Sequence, residues 1–304
     1  MLTATENTLQ SAAPRFFSDA LERGELVFFP QTPVPLPSLS DLDFLRSELP
    51  ARLSRKNVSY YPVADKLRGV EGDEAAAARV RALLKRRSES VQRFLSNLMP
   101  ELTAGWTVGT TSFRPLQEKG RNLSPHASNE LVHVDAGAYG ATHGDRILRF
   151  FTNVHPSEDR VWITKGTFAE LYQRYGETAG IPGPHQLDSV WMDRVVGSVV
   201  KTATRAGVRL ARMVDTSRYD RVMRRFHNFM KDTPSFQEDP TGHEEFAFPP
   251  FSSWMVLTDT RSHACISGQH AFVDTFIIRL AACRVRETAP YYLLQQGLAR
   301  ASAA

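Results

Sequence analysis

Apolar residues between positions 73 and 98 recur at three- and four-residue spacing, which predicts one long amphipathic helix. Asp73 can cap the start of this helix, and Pro100 lies just beyond its end. Residues 1–70 mix short apolar runs with proline-rich turns. That mixture predicts edge strands and loops, joined by a short helix near 39–55.

Short segments rich in β-branched and aromatic residues follow the long helix and predict strands. They are WTVGTTSFRPL (106–116), ELVHVDA (130–136), RILRFFTNVHP (146–156) and RVWIT (160–164). Residues 166–232 then change to helical periodicity. Strands return in EFAFPP (245–250), SSWMVLTD (252–259), HACIS (263–267) and HAFVDTFIIRL (270–280). The order predicts a helical insertion between two halves of one sheet system.

Many short strands interrupted by one helical excursion favour a mainly β fold with α insertions over an alternating α/β fold. We therefore predict a jelly-roll, cupin-like core flanked by helices, in a single domain over residues 1–304. Within it, we assign 1–105 to N-terminal strands and helices and 166–235 to the helical insertion. The jelly-roll core would comprise 106–165 and 244–280.

The composition is ordinary for a folded globular chain, with 42% hydrophobic and 23% charged residues. The two cysteines, Cys265 and Cys283, show no paired spacing, so neither a disulfide framework nor a Cys-rich zinc site is indicated. No basic start precedes an apolar run, and nowhere do about 18 apolar residues follow one another. We therefore expect a cytoplasmic protein that does not span a membrane.

The net charge of +4 is distributed unevenly, because nine basic residues lie between positions 194 and 225 against two acids. Interspersed valines, Leu210 and Met213 suit a helix that lies on an anionic membrane surface or binds a lipid phosphate. A solvated helical face is the alternative, and we expect no nucleic-acid partner. The basic residues are Arg194, Lys201, Arg205, Arg209, Arg212, Arg218, Arg221, Arg224 and Arg225.

Two histidines and one aspartate form a candidate metal site. Non-haem iron oxygenases hold Fe(II) with two imidazoles and one carboxylate, in the sequence form H-x-D followed by a distant His. Residues two apart on a strand point to the same side, so His133 and Asp135 can bind one ion, with His263 as third ligand. H-x-D alone is a weak signal, and the alternative is a hydrogen-bonded strand His133 with His263 in a turn. A zinc hydrolase with the same ligands is conceivable, but no H-E-x-x-H motif accompanies them.

Six motifs of the chain resemble the Kdo hydroxylases, which hydroxylate the sugar 3-deoxy-D-manno-octulosonic acid (Kdo). The motifs are NVSYYP (57–62), TSFRPLQEKGR (111–121), LVHVDA (131–136), GDRILRFFTNVHP (144–156), RVWIT (160–164) and SHACISGQ (262–269). The resemblance implies a double-stranded β-helix core and a dioxygenase that uses Fe(II), 2-oxoglutarate and O₂, with ascorbate as an additional reductant. The implied substrate is the Kdo of the lipopolysaccharide inner core (Kdo-lipid A), converted to the 3-hydroxy sugar Ko. Such an enzyme would meet its substrate at the inner face of the inner membrane.

Arginine is suited to the distal carboxylate of 2-oxoglutarate because its planar fork makes two parallel charge-assisted bonds. Arg146 and Arg149 differ by three positions and therefore face opposite sides of a strand. We prefer Arg149, with Arg279 as its main competitor; the alternative for Arg149 is a pair with a surface acid. Asn153 and Thr275, on the same two strands, could donate further bonds or merely satisfy backbone groups.

Arg114 and Arg121 are candidates for binding the carboxylate of Kdo, and the alternative is that both are solvated loop arginines. Two rival functions remain open. One is an Fe(II)/2-oxoglutarate oxygenase of the same fold that acts on another small molecule or a lipid. The other is a non-catalytic jelly-roll module that binds an anionic glycolipid. Metal content separates the two classes.

Overall fold

The computed structural model describes residues 1–137, 140–187 and 217–298. The strands of this part are β1 (Leu2–Thr3), β2 (Val27–Phe29), β3 (Val58–Tyr61), β4 (Lys66–Arg68), β5 (Thr107–Arg114), β6 (Arg146–Asn153), β7 (Arg160–Thr164), β8 (Glu244–Phe248), β9 (Ser253–Leu257), β10 (Ala264–Ser267) and β11 (Ala271–Ile278). Its α-helices are α1 (Glu6–Ser11), α2 (Phe16–Glu22), α3 (Leu39–Asp43), α4 (Glu74–Leu98), α5 (Phe168–Tyr175), α6 (Arg218–Asp232), α7 (Pro234–Glu238) and α8 (Pro290–Gln296).

The strands form two sheets that face each other. The larger sheet has the order β1-β2-β9-β6-β11-β5-β3-β4, and the smaller has the order β10-β7-β8. One buried cluster joins them, since Phe151 and Val273 of the larger sheet pack with Trp162 and Phe248 of the smaller. Two facing, largely antiparallel sheets with helices outside them make up a jelly-roll, and the predicted fold class is confirmed.

Alternation along β6 and β11 gives the larger sheet two different faces. Arg149 lies opposite Thr275, and Phe151 lies opposite Val273, on the face toward the smaller sheet. We call this the inner face. Leu148 and its neighbours on the other face pack against α4 and the N-terminal segment. The inner face is therefore where a site enclosed by both sheets must lie.

Helix α4 matches the predicted long helix, and the side chain of Asp73 caps it by accepting the N–H of Ala76. Its apolar stripe, which includes Val91 and Leu95, covers the outer face of the larger sheet. The short helix expected near 39–55 is also present. There, α3 continues into a π-helical turn (Phe44–Glu48) and a 3-10 turn (Leu49–Arg52).

The segment ELVHVDA is not a regular strand, contrary to the prediction. His133 pairs in the antiparallel sense with His263, whereas the N–H of Asp135 donates to the carbonyl of Thr258 at 2.8 Å. Thr258 directly follows β9 of the larger sheet. The segment therefore crosses from the smaller sheet to the larger one, and it cannot continue the pairing of a single sheet.

Helices α5 and α6 lie where the helical insertion was predicted. The central part of the basic segment, including Arg194, Lys201, Arg205, Arg209 and Arg212, lies outside the described residues. Among the helices that are described, none combines the length and the apolar character needed to cross a bilayer. The division of the chain into three sections of one domain stays a prediction.

A buried ion pair joins α4 to the larger sheet. The Arg87 guanidinium lies 3.0 Å from the Asp274 carboxylate, which also accepts the hydroxyl of Thr111 at 2.7 Å. Asp274→Asn would leave the buried Arg87 charge uncompensated, so we expect a loss of about 3–5 kcal/mol in the free energy of unfolding. Chemical denaturation measures this change.

The matched control for Asp274→Asn is Arg93→Ala, on the exposed side of α4. It should alter stability by no more than about 0.5 kcal/mol. A loss below about 1 kcal/mol in Asp274→Asn would contradict the structural importance of the pair.

Candidate active site

His133, Asp135 and His263 converge at one end of the space between the sheets. One ligand atom from each lies within 4.8 Å of the other two, and all three side chains are nearly buried. The Nε2 atom of His133 lies 3.7 Å from Oδ1 of Asp135, and the two imidazole centroids are 4.7 Å apart. The structure thus brings together the three residues that the sequence singled out.

Hydrogen bonds to the backbone orient both imidazoles. Nδ1 of His133 lies 2.7 Å from the Leu131 carbonyl, and Nδ1 of His263 lies 3.3 Å from the Arg261 carbonyl. A carbonyl only accepts, so each Nδ1 carries the proton and donates it. Nε2 of each ring is left as the free base, which is the arrangement of a metal-binding histidine and its outer partner.

The protonation state of the cluster also suits a metal ion. Burial, followed by the charge of His133, lowers the pKa of His263 to about 3. Burial alone would raise the pKa of Asp135, but Arg149 and the two imidazoles hold it well below its usual range. At neutral pH the cluster therefore offers two neutral imidazoles and a carboxylate, the forms that bind metals.

Arg149 lies beside the cluster on the inner face, as predicted, and Thr275 is its partner across β11. Its Nε atom is 2.8 Å from Oδ2 of Asp135, yet the angles do not make a hydrogen bond, and both atoms stay without a hydrogen-bond partner. Buried polar atoms of this kind indicate that a further polar group belongs there.

Arg114 was a candidate for binding the carboxylate of Kdo, with a solvated loop arginine as the alternative, and the structure places it inside the barrel. Arg114 ends β5 opposite Ala271, which places it on the inner face. Its guanidinium lies 3.3 Å from Glu118, and that one carboxylate also lies 3.2 Å from Arg160 and 3.6 Å from Arg121. Three arginines share one acid, so this part of the interior carries excess positive charge. Nε of Arg114 and two nitrogens of Arg160 have no hydrogen-bond partner.

The structure gives two of the predicted co-substrate residues surroundings that differ from the expected ones. Arg279 follows the end of β11 and is exposed beside Gly105, because the N–H of Leu280 donates to Asp145 and the chain turns away there. Asn153 is buried, and its carboxamide is fully used: the nitrogen donates to the carbonyls of Glu158 and Phe248, and the oxygen accepts the N–H of His155. Asn153 holds the end of β6 and has no free donor.

The competitor Arg146 is also engaged elsewhere. It is fully buried on the outer face, and its Nε atom lies 2.6 Å from Asp259. The expectation that Arg146 and Arg149 face opposite sides of β6 is therefore met, and of these two only Arg149 contacts the cluster.

Residues of α6 complete the site and were missed in the sequence. The ring of His227 lies 5.0 Å from that of His133, and its Nδ1 donates to the Val134 carbonyl at 2.7 Å. Lys231 is buried one helical turn further on. Met223, Phe226 and Met230 lie in the core at helical spacing, and the same spacing puts His227 and Lys231 at the edge of the core. Helical spacing alone does not show which surface this edge contacts.

A family model for 3-deoxy-D-manno-oct-2-ulosonic acid (Kdo) hydroxylase matches residues 4–301. The chain belongs to the Kdo hydroxylase family. Fe(II)- and 2-oxoglutarate-dependent hydroxylation of Kdo was the predicted activity, and the prediction is confirmed at the level of this family. A search of curated proteins gives no match.

Solved structures of the Kdo hydroxylase KdoO, a non-haem Fe(II) α-ketoglutarate-dependent dioxygenase, are similar to this chain. The apo form is 28% identical with a TM-score of 0.78, and the match covers 97% of this chain and 95% of that one. The complex with α-ketoglutarate and Fe(III) gives the same values. The cobalt(II) complex has a TM-score of 0.79 at 28% identity and covers 97% and 94% of the two chains.

Glu118 should make the stability of this Kdo hydroxylase family member depend on pH. Burial opposes ionisation of Glu118, but Arg114 and Arg160 outweigh it and lower the pKa to about 2. A carboxyl with a lowered folded-state pKa stabilises the fold above its unfolded pKa and loses that contribution as the pH falls. We expect Glu118→Gln to lose about 3 kcal/mol at pH 7, with the difference from wild type shrinking from about pH 5 downward.

Urea denaturation at a series of pH values measures the Glu118 effect. Glu89→Gln, at an exposed position of α4, is the control and should change stability by less than about 0.5 kcal/mol. If the loss in Glu118→Gln is the same at pH 3 and pH 7, the carboxylate is not what stabilises the arginine cluster.

Proposed function

We propose that the protein hydroxylates Kdo at an iron centre formed by His133, Asp135 and His263. The convergence of two imidazoles and one carboxylate within 4.8 Å carries this proposal. Such a donor set is the facial triad of non-haem Fe(II) oxygenases, which leaves open positions for a co-substrate and oxygen. The free Nε2 atoms and the unpaired Oδ2 of Asp135 fit that ion.

The chain contributes orientation and the exclusion of water. When bound, Fe(II) with 2-oxoglutarate and O₂ supplies an oxidant for a C–H bond, and succinate and carbon dioxide are the by-products. Trp162 stacks on the ring of His263 at 5.1 Å and 23°. Behind it, Phe151 and Val273 belong to the dry cluster between the sheets. This apolar packing fixes the imidazole of His263 and keeps water out of the barrel.

Arg149 is our candidate for holding the distal carboxylate of 2-oxoglutarate, with Thr275 beside it as a hydroxyl donor. Both are on the inner face next to the cluster. Arg114 lies further along the same face with an unpaired Nε, so it is the second candidate. A five-carbon dicarboxylate that chelates the metal must reach into the barrel, which is where these guanidinium groups lie.

The substrate that we propose is Kdo in a lipid A precursor, with a peripheral contact between the protein and an anionic membrane. Support for the contact comes from Arg221 and Arg224, which belong to the C-terminal part of the basic segment and are exposed on α6. Basic residues near an anionic surface contribute about 1 kcal/mol each. Sedimentation with anionic liposomes at low and high salt tests the contact, and binding that does not depend on salt would argue against it.

The activity is tested by incubating the protein with Fe(II), 2-oxoglutarate and Kdo-lipid A, followed by mass spectrometry. One added oxygen on the Kdo unit, with an equivalent of succinate, is the expected result. Succinate release without an oxidised sugar would point to another substrate. Absence of both products from an iron-loaded protein would point to the non-catalytic binding module.

His133→Ala, Asp135→Ala and His263→Ala should each abolish turnover and weaken metal binding, because two remaining ligands hold Fe(II) poorly against water. Titration with Co(II), followed by its absorption, measures the metal affinity, and circular dichroism checks the fold. His155→Ala provides the matched control, since His155 lies at the other end of β6 beside His270. If His263→Ala keeps iron and activity, the third ligand is misassigned.

Arg149→Met should raise the KM for 2-oxoglutarate about ten-fold or more, because a charge-assisted pair contributes roughly 1.5–3 kcal/mol. The iron content should hardly change. Steady-state kinetics at saturating sugar measures the effect, with Arg114→Met assayed in parallel. An unaltered KM in Arg149→Met together with a raised KM in Arg114→Met would transfer the anchor to Arg114.

A further inference from the structure

Two lysines converge on the loop 126–128, beside the cluster of His133, Asp135 and His263. Lys231, in the last turn of α6, donates to the Ser128 carbonyl at 2.7 Å and approaches the His126 carbonyl at 3.4 Å. Lys56 comes from the other side and donates to the Ala127 carbonyl at 3.1 Å. Two ammonium groups, one buried and one exposed, thus gather on three consecutive carbonyls. We call Lys56 and Lys231 the rim lysines.

No carboxylate among the described residues lies within 4 Å of either rim lysine, because the nearby acids pair with other basic groups. Asp135 lies 2.8 Å from Arg149, and Asp232 lies 2.8 Å from His126. Glu118 is shared by its three arginines. Burial lowers the pKa of Lys231, the charge of Asp135 opposes this shift and the charge of Lys56 adds to it, which leaves the pKa at about 8. Two ammonium groups thus share one loop without a carboxylate in salt-bridge contact, an arrangement that a bound anion would stabilise.

The rim lysines lie close to the metal cluster. Lys231 is four residues after His227, on the same face of α6, and the His227 ring is 5.0 Å from that of His133. Lys231 is also within electrostatic range of Asp135 and Lys56. An anion held by the rim lysines would therefore lie beside the cluster.

The proposed cofactors do not supply this anion. Fe(II) and the 2-oxoglutarate dianion have charges that cancel, so the excess positive charge around Glu118 and the rim lysines persists when both are bound. The substrate must then provide a negative group near the metal. In Kdo, the acid is carbon 1 and the deoxy position is carbon 3, so one carbon separates the carboxylate from the carbon that receives the hydroxyl.

We propose that Lys56 and Lys231 bind the carboxylate of Kdo and thereby place its deoxy carbon against the metal cluster. This inference rests on the proposed function and deepens it. Lys231 is the inner contact because it is buried beside His227, and Lys56 closes the subsite from the rim. In this assignment the lysines take the role that was expected of Arg114 and Arg121.

The test compares a soluble Kdo glycoside with its carboxamide under saturating 2-oxoglutarate. Wild type should prefer the acid by about ten-fold or more in kcat/KM, as expected for a charge-assisted contact. In Lys231→Met, kcat/KM should fall for the acid and not for the carboxamide, so that most of the preference is lost. Lys56→Met should show the same change to a smaller extent. The KM for 2-oxoglutarate and the affinity for Co(II) should stay within about two-fold in both variants.

Two variants separate the role of charge from that of the fold. Lys231→Arg keeps the charge and should keep the preference for the acid. Lys85→Met removes an exposed lysine from α4 and should behave as wild type. If Lys231→Met unfolds, Lys56→Met and Lys231→Arg still decide the question through the ratio of the two substrates.

Three outcomes would overturn the assignment. An equal loss on the acid and the carboxamide would make the lysines structural, and a raised KM for 2-oxoglutarate would assign them to the co-substrate. A loss seen with phosphorylated Kdo-lipid A but not with its dephosphorylated form would make the ligand a phosphate. If the wild-type protein oxidises neither the soluble nor the lipid-linked sugar, the proposed function is contradicted. The lysine assignment, which rests on that function, then fails as well.

Discussion

The candidate site depends on a pair of reciprocal backbone hydrogen bonds between His133 and His263. Each N–H donates to the other carbonyl, at 3.1 and 2.9 Å, so the two side chains must leave the backbone on the same side. Asp135 is then drawn to the larger sheet through Thr258. Three ligands from two distant parts of the chain are thereby fixed by main-chain geometry, and few sequence changes at neighbouring side chains can move them.

Much of this arrangement could be predicted from the sequence, because its signals are local. The bounds of β6 and β7 follow from β-branched and aromatic runs between turns, and α4 follows from its apolar spacing and the Asp73 cap. The surroundings of Arg279 and Asn153 could not be predicted because they are set by distant residues, Asp145 and the Phe248 carbonyl. The rim lysines carry no local signal, since α6 brings Lys231 to one side of the 126–128 loop and a distant part of the chain brings Lys56 to the other.

Buried charges serve two different purposes on the two faces of the larger sheet. On the outer face, Arg87 and Asp274 are matched one to one, and each has a threonine hydroxyl as a further partner. On the inner face, one Glu118 faces three arginines, and several guanidinium nitrogens have no partner. The unequal pairing is costly, and negatively charged ligands would relieve it.

The stacking of Trp162 on His263 gives the site an optical reporter of its own. The indole is buried, its Nε1 has no hydrogen-bond partner, and its ring lies 5.1 Å from that of the imidazole. A paramagnetic ion bound to that imidazole would quench the emission of this tryptophan over such a short distance. Metal loading of the native chain can therefore be followed by intrinsic fluorescence, without a dye and before any turnover begins.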